Sequence, residues 1–277
     1  MNWEETIKYI RTKPEYEALV RDAYFDENLV LNINRFIQSV EFKETLKLLK
    51  RYNKNAKSIL DIGCGNGISS ISLALNGYEV VAVEPDPSDT IGAGAIRKLV
   101  KHYNLDNVKV YESFAEDIKF DSSIFDVVYV RQAMHHANDL EKFIAECSRV
   151  LKVNGILMTI RDHVIFDETD KIDFLNIHPL QKFYGGENAY KSSEYTSSMI
   201  KAGLKIERIL KTFDSEINYF PMNTNNVRKT KIKKKIYNII SKFAPFLISL
   251  EKRKDLLGML NEKDFPGRMY SYIAIKI

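Results

Sequence analysis

Three glycines at alternate positions follow a short apolar run, and this pattern indicates a ligand-binding turn. The segment Lys57–Gly67 has the sequence KSILDIGCGNG, and residues 68–75 after it are compatible with a helix. The pattern predicts a buried strand that turns sharply into a helix, because glycine permits unusual dihedral angles and a close approach of the backbone to a ligand. The spacing is G-x-G-x-G, whereas a dinucleotide fingerprint is G-x-G-x-x-G, and position 68 is Ile.

An acidic residue ends the next apolar run along the chain. Tyr78–Glu84 has the sequence YEVVAVE, and its last residue lies 21 positions after Gly63. A carboxylate at the carboxyl end of a second strand can accept hydrogen bonds from both hydroxyls of a ribose. An acid before Pro85 would, taken alone, be a solvated strand end. At this distance from the glycine loop, Glu84 is instead predicted to bind a ribose.

Both motifs resemble the cofactor-binding motifs of class I S-adenosylmethionine-dependent methyltransferases, in the branch that acts on bacterial small molecules. In that family the glycine loop holds the methionyl part of the cofactor and the acid holds its ribose. The resemblance therefore implies S-adenosylmethionine as the cofactor. The residues that it assigns to cofactor binding here are Asp61, Gly63, Cys64, Gly65, Gly67 and Glu84.

Later segments are similar to the same family. The Ala-Glu-Asp run that ends at Asp117 implies that this acid binds the exocyclic amine of adenine, the alternative being a helix-capping or solvated acid. Residues 133–136 and 147–155 resemble the small-molecule branch and differ from the Asn-Pro-Pro-Tyr motif of amino-methylating DNA enzymes, so no DNA partner is expected. Arg131 is also expected to bind the cofactor, and Arg35 is a candidate partner for the methionyl carboxylate.

Histidines follow the fourth and fifth predicted strands, at the sheet edge where open α/β proteins collect ligands and reacting groups. His135 and His136 follow the fourth strand, and His163 follows the fifth. All three are candidate catalytic bases, and we expect His163 to be the one that acts, with Asp162 or Asp167 orienting its ring. The structural alternatives are an imidazole that seals a helix start and an ion pair of the neighbouring arginine with the aspartate.

The segment His178–Tyr190 mixes aromatic, polar and Gly-Gly residues, which is typical of a loop that faces a substrate. A surface loop with its rings packed against the sheet is the alternative. The residues expected to contact the methyl acceptor are Arg161, His178, Tyr184, Asn188 and Tyr24.

Strands and helices alternate from residue 57 onward, which predicts a doubly wound, mostly parallel α/β sheet of seven strands with helices on both faces. The family resemblance implies that the last strand is antiparallel. Helical segments at 15–24 and 36–49 precede the sheet, so residues 1–52 are predicted to form a helical lid and 53–277 the methyltransferase domain. The predicted strands are 57–62, 78–84, 107–112, 125–130, 155–161, 205–213 and 268–277, and the predicted helices of the sheet are 66–76, 90–103, 138–152 and one from Ser192 or Ser193 to Ala202.

Composition favours one core with elaborations, since the chain has 277 residues and 45% apolar content. The polar start of the chain, the lack of a run of membrane-spanning length and the presence of only two cysteines predict a cytoplasmic protein without disulfides. No Cys/His cluster has zinc-ligand spacing and no helical metal-ligand pattern occurs, so a metal-free mechanism is expected.

The net charge of +4 is unevenly distributed. Residues 223–263 contain eleven Lys or Arg and three Asp or Glu, a net charge of +8, so the rest of the chain sums to −4. This basic segment is predicted to contain an amphipathic helix within an insertion at 214–265. Residues 228–246 are a candidate contact for an anionic membrane surface or an acidic partner, the alternative being a helix packed on its own domain with solvated lysines. The apolar residues at helical spacing are Ile232, Ile236, Ile239, Ile240 and Phe243.

These features together predict transfer of a methyl group to a small molecule by direct displacement. A hydroxyl acceptor is preferred, because it needs a base as its proton leaves and histidine is the usual base near neutral pH. N- or C-methylation without a base is the alternative. A nucleotide-dependent oxidoreductase, which the early third glycine disfavours, and a non-catalytic cofactor-binding module are rivals from other classes. Sugars, lipid-linked saccharides, quinone-like phenols and secondary metabolites are all candidate acceptors.

Overall fold

Eight strands, seven of them side by side in the central sheet, occur in the computed structural model, which describes residues 1–222 and 265–277 together with Val227, Lys229 and Glu262. The strands are β1 (Ser58–Ile62), β2 (Glu79–Val83), β3 (Val108–Tyr111), β4 (Phe125–Arg131), β5 (Leu151–Ile165), β6 (Tyr190–Lys191), β7 (Leu204–Leu210) and β8 (Met269–Lys276). Their order across the sheet is β3-β2-β1-β4-β5-β8-β7, and the short β6 pairs beside the end of β5. All pairs are parallel except those of β8, which runs antiparallel to β5 and β7. The predicted fold is confirmed.

Eleven α-helices lie in the described ranges. They are α1 (Trp3–Arg11), α2 (Glu17–Asp22), α3 (Leu29–Gln38), α4 (Val40–Tyr52), α5 (Ile68–Leu75), α6 (Ala93–Tyr103), α7 (Leu140–Val150), α8 (Glu168–Ile177), α9 (Gln181–Tyr184), α10 (Ser192–Lys201) and α11 (Glu216–Tyr219). Two apolar clusters, one on each face of the sheet, form the core and bury the near-continuous apolar residues of β1, β4 and β5. Such runs are expected of parallel strands that are covered on both faces.

The predicted single helix at 36–49 is wrong, because the chain breaks at Ser39. This residue is extended (φ −65°, ψ 154°), and its side chain accepts a hydrogen bond from the Phe42 N–H at 3.1 Å, which caps α4. The preceding helix α3 begins at Leu29, where the Asn28 side chain accepts from the Leu31 N–H at 3.0 Å. Apolar spacing continues across both helices, so periodicity alone conceals a break made by a capping hydroxyl.

Strand β5 is longer than the predicted 155–161, and it contains a bulge. Thr159 pairs with Tyr272 and Asp162 pairs with Tyr270, so two residues of β5 lie opposite one residue of β8. One of the two is Arg161, which has φ +62°. A bulge of this kind reverses the alternation of side chains along the strand, and it therefore changes which residues enter the cleft.

The amphipathic helix and the membrane or acidic-partner contact predicted for 228–246 lie outside the described residues. Within the described ranges, no helix has the length and apolar content needed to cross a membrane. The N-terminal helices α1 to α4 precede β1, and α3 packs on α5 while α4 packs on α11.

Candidate active site

One cavity of about 890 Å³ opens above the carboxyl ends of β1, β2, β4 and β5. Its floor contains the glycine loop and the segment after β4, and its walls come from the N-terminal helices and from residues 178–187. A volume of this size accommodates a cofactor together with a small substrate. The glycine loop and the predicted catalytic histidines therefore share one cavity.

The glycine loop has the left-handed backbone that its composition predicts. Gly63, Gly65 and Gly67 have φ values of +63°, +54° and +81°. A Cβ atom at Gly63 would lie 2.5 Å from the Cβ of Ala133, so this position must remain free of a side chain. At Gly65 a Cβ atom would meet no atom closer than 3.7 Å, because the loop there faces the cavity.

Glu84 lies beside this loop at the end of β2. Its Oε2 accepts a hydrogen bond from the Gly65 N–H at 2.7 Å, and its Oε1 accepts one from the Asp86 N–H at 3.0 Å. Burial raises the pKa of this carboxyl to about 7, against the lowering effect of the two N–H groups. Both oxygens keep a further lone pair, which is what a ribose with two vicinal hydroxyls requires.

Of three other predicted cofactor residues, two lie around or below the loop and one lies on the surface. Cys64 lines the cavity, and burial raises the pKa of its thiol well above the ordinary value. Asp61 is fully buried beneath the loop, where it accepts a hydrogen bond from the Ser70 hydroxyl at 2.6 Å, and burial raises its pKa to about 7. Asp117 lies outside the cavity wall and pairs with Lys119 on the surface at 2.5 Å.

Glu116, the residue before Asp117, lines the cavity instead. Its carboxylate accepts a hydrogen bond from the Asn138 N–H at 3.0 Å, and Phe114 and Ala115 line the same region. The Ala-Glu-Asp pattern does not show which of its two adjacent acids faces the cavity.

Arg131 is held by a buried acid that the sequence analysis did not single out. Its Nε and Nη2 donate to the two carboxylate oxygens of Glu41 at 2.5 and 3.0 Å. The guanidinium lines the cavity and lies over the rings of Tyr24 and Phe36. This bidentate pair keeps Glu41 ionised, and the pKa of the acid is lowered although it is completely buried.

Two predicted residues of the N-terminal segment lie behind the wall of the cavity. Arg35 pairs with Asp26 and donates to the Arg21 carbonyl, and its guanidinium lies 5.3 Å from the ring of Tyr24. Tyr24 is buried, and its carbonyl accepts a hydrogen bond from the Asn66 side chain at 2.7 Å. Asn66 and Arg131 both line the cavity, so Tyr24 contacts two residues of the cavity wall without lining it.

The predicted unit Arg161-Asp162-His163 does not exist as a unit, and an Arg161–Asp162 ion pair does not form either. The Arg161 guanidinium donates to the carbonyls of Ile217 and Phe220 at 2.6 and 3.0 Å, while it lines the cavity. Arg161 lies in the β5 bulge, and pairing with β8 resumes at Asp162 opposite Tyr270.

Asp162 binds His135 instead of His163. Its Oδ1 lies 3.1 Å from the His135 Nδ1 and accepts the His135 backbone N–H at 3.2 Å. The His163 Nδ1 lies 2.7 Å from the Gly267 carbonyl oxygen, and Asp167 caps α8 by accepting the Asp170 N–H. The expectation that Asp162 or Asp167 orients His163 is therefore wrong.

Four of the five histidines of the chain surround one buried acid. We name this group the histidine cluster, and it consists of His135, His136, His163, His178 and Glu187. Each member lines the cavity. Burial lowers the pKa of every one of the four imidazoles, to about 3 for His163 and to about 4 for His178, so all four rings are neutral at pH 7. Burial also raises the pKa of Glu187 to about 7.

The substrate loop contributes unevenly to the site. His178 and Tyr184 line the cavity, and the Tyr184 ring packs 5.0 Å from the ring of Trp3. Asn188 lies outside the cavity wall. Glu187 also lines the cavity, and it was not predicted as a site residue. Its position after Gly-Gly, in a loop that also contains a histidine, could have indicated it.

Comparison with known proteins agrees with this geometry. Residues 60–159 match the sequence family described as "Methyltransferase domain". The chain is 28% identical over 125 residues to the uncharacterized methyltransferase YcgJ of Bacillus subtilis (strain 168), which covers 43% of this chain and 45% of the relative. It is 30% identical over 139 residues to the ubiquinone biosynthesis O-methyltransferase of Pelagibacter ubique (strain HTCC1062), half of each protein. The chain spans about half the length of the curated relatives it matches.

Solved structures extend the likeness to most of the fold. The crystal structure of YcgJ aligns with a TM-score of 0.55 and 19% identity, covering 85% of this chain and 98% of the other. The geranyl diphosphate C-methyltransferase from Streptomyces coelicolor A3(2), in complex with Mg²⁺, geranyl diphosphate and S-adenosyl-L-homocysteine, aligns with a TM-score of 0.59 and 16% identity, covering 89% and 83%. Residues 60–159 are thus a methyltransferase domain whose cofactor is S-adenosylmethionine, and the chain shares the fold of these methyltransferases.

Proposed function

We propose that the protein transfers a methyl group from S-adenosylmethionine to a hydroxyl oxygen of a small-molecule acceptor. The observation that carries this proposal is the shared cavity, in which the glycine loop and Glu84 face the histidine cluster. A relative named as an O-methyltransferase of ubiquinone biosynthesis supports the choice of an oxygen acceptor. The C-methyltransferase among the structural neighbours makes a carbon acceptor the second candidate.

The cofactor's position follows from the polar groups of the floor. Glu84 accepts the ribose hydroxyls, and the glycine loop faces the methionyl part with backbone N–H groups. Glu116 lies where it can accept the adenine amine, with Phe114 as an exposed ring beside it. This arrangement directs the sulfonium methyl group toward the ends of β4 and β5, where the histidine cluster lies.

His136 is the base that this geometry supports best. Its Nδ1 lies 3.0 Å from the Gly186 carbonyl oxygen, so Nδ1 carries the proton and Nε2 is free to accept one. Its side chain is 33% exposed, whereas those of His135 and His163 are nearly closed off at 2% and about 5%. An acceptor can reach this ring, and the ring can afterwards release the proton to solvent.

The reaction is a single displacement. The acceptor oxygen attacks the methyl carbon, the bond from carbon to sulfur breaks, and S-adenosylhomocysteine leaves as a neutral thioether. The hydroxyl proton passes to the Nε2 of His136 as the new carbon–oxygen bond forms. The protein aligns the reactants, excludes water and provides a base. No covalent intermediate with the protein is needed.

The walls of the acceptor region favour a molecule with an apolar or aromatic body. Five apolar side chains face the cavity between the N-terminal helices and the histidine cluster, and they surround a small number of polar groups. These apolar residues are Leu19, Phe25, Leu180, Phe220 and Met269.

The N-terminal helices act as a lid over this cavity. Trp3, Leu19 and Phe25 of this segment line it, and the Trp3 ring contacts Tyr184 from the opposite wall. Closing these helices over a bound cofactor would exclude water. Hydrogen exchange with and without S-adenosylhomocysteine tests the lid: slower exchange across residues 1–30 supports it, and unchanged exchange there contradicts it.

The activity is tested by incubating the protein with S-adenosylmethionine and a panel of phenols, quinols, sugars and isoprenoids, and by measuring S-adenosylhomocysteine formed above the acceptor-free rate. Mass spectrometry and NMR of the product then identify the methylated atom. An O-methyl product confirms the proposal, and a C-methyl product selects the second candidate. Binding of the cofactor without turnover on any acceptor would favour the non-catalytic module.

A further inference from the structure

We propose that His135, His163 and Glu187 bind a divalent transition-metal ion at the acceptor end of the cavity. One ligand atom of each side chain lies within 4.8 Å of those of the other two. The three residues come from separate segments: the turn after β4, the end of β5 and the loop before β6. The first and last of them are 52 positions apart in the chain, so they form no short-range metal-ligand motif in the sequence.

The hydrogen bonds of the two imidazoles are those of metal ligands. The Nδ1 of His135 is bound by the Asp162 carboxylate, and the Nδ1 of His163 is bound by the Gly267 carbonyl. In each ring the proton therefore lies on Nδ1, and Nε2 keeps its lone pair. A histidine that ligates a metal characteristically donates its other nitrogen to a carboxylate or a backbone carbonyl, and both partners are present here.

Glu187 provides the negative charge that such a site requires. Its side chain is 4% exposed, and no described residue donates a hydrogen bond to its carboxylate. Its nearest ionisable neighbours are imidazoles, with nitrogens of His135 and His136 at 3.9 Å from Oε2 and of His178 at 3.5 Å from Oε1. A buried carboxylate without a donor is unfavourable, and a cation among neutral imidazoles removes the imbalance.

The three ligand atoms, which lie within 4.8 Å of one another, must move closer together to hold an ion. Imidazole and carboxylate ligands lie at about 2.0–2.2 Å from a zinc ion, so tetrahedral ligand atoms are about 3.3 Å apart. The His135 Nε2 and the Glu187 Oε2 are 3.9 Å apart before any ion binds. Glu187 follows two glycines in its loop, and a side-chain rotation with a slight loop shift brings the carboxylate into range.

The ligand types select the ion. Two imidazoles and one carboxylate suit zinc, iron(II) and cobalt(II), whereas magnesium and calcium prefer ligand sets made of oxygen. Three protein ligands leave at least one coordination position open toward the cavity.

The role of the ion rests on the proposed function. An acceptor hydroxyl that occupies the open position would lose its proton more readily, because a bound divalent cation lowers the pKa of a coordinated oxygen. His136 is not among the three ligands, so its Nε2 stays available to receive that proton.

Titration of the metal-free protein with Co²⁺, followed by visible absorption, tests the site directly. We expect one Co²⁺ per chain, with the intense ligand-field bands of a site of low coordination number. Glu187→Gln and His163→Gln should each weaken binding by about tenfold or more. His102→Gln is the matched control, since His102 is exposed on α6 and far from the cluster in the fold. Circular dichroism and thermal unfolding of each metal-free variant establish that the variant is folded.

Calorimetric titration of the same preparations with S-adenosylhomocysteine separates the two proposals. Cobalt binding that is absent, or that Glu187→Gln and His163→Gln leave as strong as in the parent and in His102→Gln, overturns the metal site. If Glu187→Gln fails to fold, Glu187→Asp, which shortens the ligand, must weaken cobalt binding for the proposal to stand. Normal binding of S-adenosylhomocysteine without cobalt binding overturns only the metal site. Cobalt binding without binding of S-adenosylhomocysteine overturns only the methyltransferase proposal.

Discussion

The Nδ1 of His135 lies 3.1 Å from the Oδ1 of Asp162, although 27 positions separate the two residues in the chain. The same oxygen accepts the His135 backbone N–H at 3.2 Å, and both side chains are at most 2% exposed. Burial raises the pKa of Asp162 to about 8, while hydrogen bonds from backbone N–H groups of residues 133–135 oppose the rise. Because Oδ1 of Asp162 accepts the His135 backbone N–H and also lies beside the ring Nδ1, it determines which nitrogen of His135 faces the cavity.

Asp162→Asn should disturb that tautomer with little change in shape. The amide of asparagine can donate to the Nδ1 of His135, which forces the proton onto Nε2 and turns an acceptor into a donor inside the cluster. We expect kcat to fall by about tenfold or more, with the dissociation constant of S-adenosylhomocysteine unchanged. Steady-state kinetics and calorimetry on the same preparation measure both quantities. An equal loss of cofactor binding would show that the substitution damages the fold instead.

His136→Gln should remove the base. A general base contributes about 10²- to 10⁴-fold, so kcat should fall within that range. The pKa of His136 is lowered by burial, so the parent enzyme should keep full activity at pH 7 and lose it only as the pH falls below the ordinary range of histidine. This loss of kcat at low pH should disappear from the pH–rate profile of His136→Gln, and His102→Gln should retain it. A parental kcat in the variant would return the role to His163 or His135, or indicate catalysis by alignment alone.

Cofactor affinity should depend on pH through Glu84. The free carboxyl has a pKa of about 7, and ribose hydroxyls donate to its ionised form, so binding must lower that pKa. Affinity is therefore highest above pH 7 and falls as the pH drops, by up to about tenfold between pH 8 and pH 6. Calorimetry with S-adenosylhomocysteine at the two pH values gives the ratio. In Glu84→Gln the ratio of the affinities at pH 8 and pH 6 should approach one. A ratio equal to that of the parent would show that another group titrates.

Two glycine substitutions separate backbone strain from loss of space. Gly63 and Gly77 both have positive φ values, +63° and +88°. A Cβ atom at Gly63 would lie 2.5 Å from the Cβ of Ala133, while one at Gly77 would meet no heavy atom within 4 Å. Gly63→Ala should therefore cost about 1–3 kcal/mol more in the free energy of unfolding than Gly77→Ala, as overpacking does. Urea unfolding measures the difference, and equal losses would show that Ala133 moves aside freely.

The sheet and the proximity of the glycine loop to Glu84 could be predicted from the sequence, because both depend on local patterns. Apolar runs, their alternation with helices, the glycine loop and Glu84 are each visible within about ten residues, and parallel pairing of β1 with β2 then brings the loop and the acid together. The break at Ser39 was missed, because a capping hydroxyl leaves the apolar period intact.

The acceptor end could not be predicted in the same way. Its contacts depend on a bulge in β5, which moves Asp162 to His135 and Arg161 to the carbonyls of Ile217 and Phe220. A bulge depends on how two strands pair over a long separation, and the sequence around residue 160 contains no glycine or proline to mark it. Glu41 is similar, since its partner Arg131 is 90 positions away.

The central claim is that the glycine loop and Glu84 bind S-adenosylmethionine, and calorimetric titration with S-adenosylhomocysteine tests it most directly. We expect one site per chain in the micromolar range, with Glu84→Ala weakening binding by about 1–3 kcal/mol through loss of the ribose hydrogen bonds. NADH should not compete. Failure of the folded parent to bind S-adenosylhomocysteine, or identical affinity in the parent and in Glu84→Ala, would contradict the assignment.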